Sequence, residues 1–78
     1  MEEYKFIIHK IDRQSNFLKL ELPKMGILGK FNTLGGKVMA QFFAPKGVEI
    51  TKEIRDAFIE EASKLLKRKL KNKKHPPH

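Results

Sequence analysis

Cysteine is absent from this chain, so neither a disulfide framework nor a thiolate metal site is available to it. Tryptophan is missing as well, whereas lysine, glutamate and isoleucine are plentiful. That bias suits a thermophile and equally an AT-rich genome. No run approaches the roughly 20 apolar residues that a membrane-spanning helix requires. The N-terminal stretch Met1-Glu-Glu-Tyr-Lys-Phe-Ile-Ile-His9 is acidic, and its apolar part is too short for a signal peptide. The expectation from these absences is a cytoplasmic protein without membrane insertion.

Acidic residues are also missing from one long segment. Between Ser63 and His78 there are none, while Lys64, Lys67, Arg68, Lys69, Lys71, Lys73 and Lys74 are all basic. The residues before Ser63 hold ten basic and nine acidic side chains, so the net charge of +8 divides into +1 for the body and +7 for this segment. A dense cationic segment without counter-charges attracts polyanions, nucleic acid phosphates above all.

With 78 residues, 40% of them hydrophobic, the chain is too apolar for intrinsic disorder and lies near the lower size limit for a self-sufficient core. One α+β domain is expected over residues 1–72, followed by a frayed basic tail over 73–78, where Pro76 and Pro77 cannot continue a helix. Tyr4 to Ile11 mixes aromatic and β-branched residues and reads as a strand. Strict alternation puts Tyr4, Phe6 and Ile8 on one of its faces and Lys5, Ile7, His9 and Ile11 on the other. A polar turn over Asp12 to Asn16 leads into Phe17 to Leu22, where Leu18, Leu20 and Leu22 oppose Lys19 and Glu21. Lys37 to Phe43 alternates in the same way. Ala44-Pro-Lys-Gly47 then reads as a turn with proline at its second position and glycine at its fourth.

Between these runs, residues 23–36 hold Gly26, Gly29, Gly35 and Gly36 together with Met25, Ile27, Leu28, Phe31 and Leu34. The mixture predicts an irregular or short strand around Ile27 to Phe31, with the glycines as turn formers near a bend. Gly26-Ile-Leu-Gly29-Lys30 fits no phosphate-binding motif. The glycines are too close for a Walker A loop and Phe31 replaces its hydroxyl residue, while Ile27 and Leu28 are wrong for a basic G-x-x-G loop.

After Thr51, a plausible N-cap, Ile54, Ala57, Phe58, Ala62, Leu65 and Leu66 recur at helical spacing. They predict a helix to about Lys71, centred on Ile54, Phe58 and Leu65 and covering the leucine face of the sheet. A helix over 52–71 would be about 30 Å long, more than a small sheet needs. Because Lys69 returns to the centre of the stripe, the last turns are expected to project as a cationic ridge of Lys64, Lys67, Arg68 and Lys71. Acids early and bases late in a helix also complement its dipole, which accounts for Lys64 without any ligand. The whole predicts an antiparallel β-meander of three to four strands, packed on one face by a long C-terminal α-helix. That architecture resembles small nucleic-acid-binding domains, including amino-terminal domains of some integrases and single-strand-binding coactivators, without shared motif residues.

His9, His75 and His78 lack the spacing to partners that a metal site or a nucleophile–base pair demands. The carboxylates lie mostly on the outer helix face. No catalytic residue, metal, cofactor or small-molecule substrate is indicated, and the chain is not expected to be an enzyme. The function expected is binding of DNA or RNA through backbone phosphates, with little sequence specificity. Lys64, Lys67, Arg68, Lys71, Lys73 and Lys74 are the main candidate contacts, and Lys30 and Lys37 form a secondary patch. One helix covers one sheet face, so Phe17, Met39, Phe43 and Ile7 or Phe6 are left for the other. That second face suits a homodimer interface or a base-stacking platform. The alternative function is accordingly a homodimeric protein-interaction module whose basic tail docks an acidic partner.

Overall fold

Four strands and one helix form in the order the apolar patterning dictates: β1 (Ile7–Asp12), β2 (Phe17–Leu22), β3 (Ile27–Leu34), β4 (Lys37–Phe43) and α1 (Lys52–Leu66). The computed structural model describes residues 4–34 and 37–67, the side chains of Thr33, Leu34 and Lys37 excepted. Each strand pairs antiparallel with the next, giving a single sheet of order β1-β2-β3-β4. The helix packs on one face of it, so the fold is the expected α+β meander. Leu18, Leu20 and Leu22 point into the core and meet Ile27 and Phe31 of β3, with Ile54, Phe58, Ala62 and Leu66 above them. All nine of these side chains are buried.

The glycine-containing segment differs from its sequence reading. It forms the longest strand, and that strand is internal to the sheet. Gly26 closes the turn before it, whereas Gly29 sits in mid-strand opposite Leu20 and Phe42. A Cβ on Gly29 would stand 2.6 Å from Cδ1 of Phe58, so the hydrogen side chain lets that ring lie directly on the sheet backbone. Phe6 and Phe42 surround the same ring at centroid distances of 4.8 and 5.3 Å in edge-to-face geometry. A mid-strand glycine looks like a breaker in sequence because its aromatic partner lies 29 residues away, on the helix.

Strict alternation also fails in β1. Ile8 faces Leu20 and Lys10 faces Lys19, so His9 is an extra residue, a β-bulge. Beyond the bulge every side chain changes face. Ile11 joins Ile8 on the core side, opposite Leu18, and Lys10 turns to the outer side. The turn after β4 is displaced by one residue from its expected position. Val48 N–H donates to the Pro45 carbonyl at 3.0 Å, placing Gly47 third in the turn, where its φ of +86° is required.

Thr51 caps α1 as expected, its Oγ1 accepting from Ile54 N–H at 3.2 Å. Thr51→Ala is expected to cost about 1 kcal/mol, read from urea unfolding. The buried stripe is Ile54, Phe58, Ala62 and Leu66, with Leu65 half-buried beside it. At four-residue spacing the stripe drifts about 40° per step, which is why Ala62 displaces Leu65 from the centre.

The C-terminal end of α1 is a correction. The helix stops at Leu66, and Lys67 adopts the left-handed conformation (φ 56°, ψ 41°) with its N–H directed to the Ser63 and Lys64 carbonyls. Arg13, from the β1–β2 turn, donates its Nε–H to the Leu65 carbonyl at 2.9 Å. The last carbonyls are therefore satisfied where the core ends, and Lys67 caps α1 there; the expected continuation to Lys71 lies outside the described residues. Fifteen residues give α1 a length of about 22 Å, matched to the strands beneath it.

Candidate functional site

The face that α1 leaves uncovered is read directly from the strand registers, since paired residues share a face. Its middle row is Lys10, Lys19, Lys30 and Gln41, one residue from each strand in order. Three lysines thus stand side by side across β1, β2 and β3, at intervals of about 4.8 Å. Like charges directly opposite one another destabilise a sheet. Among the described residues, none of the three lies within 4.0 Å of a carboxylate. The nearest acidic candidate on β2, Glu21, is engaged elsewhere: its Oε1 is 2.7 Å from His9 Nε2.

Apolar and aromatic side chains flank the lysine row on both sides. One side carries Ile7, Leu28 and Phe43, in register with Glu21. The other side carries Asp12 opposite Phe17, and Asn32 opposite Met39. Ile7, Met39 and Phe43 remain about half exposed, whereas Leu28 and Phe17 are half-buried by their neighbours. Phe6, which the sequence offered for this face, packs instead against Phe58 in the core. Lys10 Nζ lies 5.6 Å from the Phe17 ring centroid, a cation–π contact at the edge of the row. Beside it, Lys10, Asp12, Ser15, Phe17 and Asn32 line an open recess of about 320 Å³.

The residues expected from sequence to bind phosphate are placed differently from one another. Lys30 lies in the row between Lys19 and Gln41. Lys37 opens β4, paired with Leu34. Lys64 is exposed in the last turn of α1, its Nζ 4.0 Å from Glu61 Oε1, a weak surface pair. Lys67 is exposed at the helix cap, out of helical phase with Lys64. Arg68, Lys71, Lys73 and Lys74 lie outside the described residues, as do Lys69, His75 and His78. The part of the expected Lys64, Lys67, Arg68 and Lys71 ridge beyond Lys67 thus falls outside the described residues.

Sequence reasoning missed Lys10 and Lys19 as a site. The signal for Lys19 was present, in its alternation with the leucines. Alternation counted from Tyr4 carries Lys10 to the core side, and only the bulge at His9 brings it round. Among the described residues, no group of three or more His, Asp or Glu side chains could hold a metal ion. No described helix is long and apolar enough to cross a membrane. Comparison of the chain with known protein families, curated proteins and solved structures finds no match, so any function has to be read from this face and from the basic segment.

Proposed function

We propose that this chain binds nucleic acid through backbone phosphates laid across the open sheet face. Lys10, Lys19 and Lys30 are the central contacts. Lys37, Lys64, Lys67, Arg68, Lys71, Lys73 and Lys74 add long-range attraction and further contacts. The observation that carries the reading is the lysine row itself, three directly paired cations with no carboxylate within 4.0 Å among the described residues. Such a row costs stability in the free protein and is relieved by a polyanion, whose bound counterions are released in exchange. The apolar side chains on either side do not compete for the phosphates, and they give a strand something to lie against.

A homodimer closed through this face is disfavoured by the same row. A two-fold axis through the sheet would bring two sets of three lysines together in a desolvated interface. A dimer joined elsewhere leaves the row open and is compatible with binding.

The test is a titration against single-stranded DNA, duplex DNA and RNA at two salt concentrations. Binding is expected to weaken steeply with salt. The triple variant K10Q/K19Q/K30Q should lower the log–log salt slope by about 2 to 3 and the affinity by at least tenfold at moderate salt. A triple variant that binds with the parental slope would reject the sheet face as the site. Absence of binding to all three ligands at low salt, together with capture of an acidic protein or a dimer seen by sedimentation, would favour the interaction-module reading instead.

A further inference from the structure

Phosphate contacts alone would not distinguish a duplex from a single strand, but the recess beside Lys10 carries chemistry that a phosphate does not need. Phe17 lines the recess, half-buried in β2 opposite Asp12, with Lys10 Nζ 5.6 Å from its ring centroid. Asn32, whose amide offers both a donor and an acceptor, lines it as well, together with Ser15 and Asp12. Asp12 is held in place because its Oδ1 accepts Gln14 N–H at 3.1 Å, an Asx-turn that also shapes the β1–β2 loop. Asn16 completes that loop in the left-handed conformation (φ 57°), which asparagine tolerates, and β2 begins with Phe17 directly after it. The volume of about 320 Å³ is at the small end of ligand sites, suited to one flat ring with its sugar.

We infer that this recess takes one unpaired base of a single strand whose phosphates lie along Lys10, Lys19 and Lys30. The inference rests on the nucleic-acid reading and makes it specific for single strands. The base stacks on Phe17 and meets Asn32 at its polar edge, while Lys10, common to the recess and the row, holds the phosphate next to it. A base locked in a duplex cannot enter, because both its faces are already stacked and its polar edge is paired. An aromatic ring, an amide and an adjoining cation are the set that base-stacking single-strand sites combine.

The experiment uses the full chain and three probes: a nine-nucleotide single strand, an abasic strand of the same length and charge, and the nine-base-pair duplex. The single strand is expected to bind about tenfold tighter than either of the other two, since one base–aromatic stack supplies a difference of that order. Phe17→Leu, which keeps an apolar side chain in the strand, should remove this preference. In the parent protein, titration with cytidine monophosphate should shift the backbone amide resonances of Phe17 and Asn32, a readout that needs no variant to fold. Equal binding of the single and abasic strands, or a preference that survives Phe17→Leu, would overturn the base site while leaving the phosphate reading intact. Failure of all three probes to bind at low salt would overturn both.

Discussion

Phe58→Ala is expected to lose about 3–5 kcal/mol, most or all of the stability a domain of this size possesses. Phe58 is fully buried at the middle of α1. Its ring rests on the backbone of Gly29 and is boxed by Phe6 and Phe42. Truncation leaves a ring-sized void that the stiff sheet beneath cannot collapse to fill. The same contact makes Gly29→Ala costly from the other side. A methyl group 2.6 Å from the ring forces the helix outward, at about 1–3 kcal/mol. The two effects are coupled. In the Phe58→Ala background the added methyl meets a void, so Gly29→Ala should become nearly neutral or stabilising. Chemical unfolding of the two single variants and the double variant checks this, ideally with a stabilising osmolyte present. Additive losses would show that the ring does not rest on Gly29.

Lys19→Glu is expected to move stability and binding in opposite directions. Position 19 is the centre of the lysine row, directly paired with Lys10 on one side and Lys30 on the other. A glutamate there converts two repulsive neighbours into two attractive ones, a gain of about 0.5–1.5 kcal/mol at low salt that shrinks as salt screens it. On the proposed binding mode the change is adverse, because a negative charge would stand where phosphates would lie. Affinity should fall by at least tenfold at low salt, with the salt slope reduced by about 1 to 2. Unfolding curves and nucleic acid titrations at low and high salt give both quantities from one preparation. A surface kept cationic for a ligand trades stability for binding in this way. If Lys19→Glu neither stabilises the fold nor weakens binding, the row is an ordinary solvated surface.

Much of the fold was legible in local patterning. β2, β4, the Thr51 cap and the helical stripe rest on signals within a few residues of one another, and they formed where the alternation and the 3.6-residue period placed them. What escaped depended on contacts distant in sequence. Gly29 looked like a breaker until Phe58 was set on it. The end of α1 depends on Arg13, from the first hairpin, reaching the Leu65 carbonyl, and on Lys67 accepting a left-handed backbone that lysine does not favour. Of the three lysines paired across the sheet, Lys30 was singled out from the sequence and Lys10 and Lys19 were not. Net charge pointed to an anionic partner and to the C-terminal segment, but the paired lysines emerge only when three strands are brought into register. One inserted residue, His9, decides whether Lys10 belongs to them.

The order of the elements along the chain has a consequence for how the protein is made. Every strand pairs with its immediate neighbour in sequence, so the sheet closes through short hairpins and its contacts are local. The helix that covers it follows all four strands. During synthesis the sheet can assemble while α1 is still inside the ribosome, and for that interval Leu18, Leu20, Leu22, Ile27 and Phe31 form a bare apolar surface. Premature termination before Lys52 would leave that surface uncovered, so such fragments would be prone to aggregation and degradation.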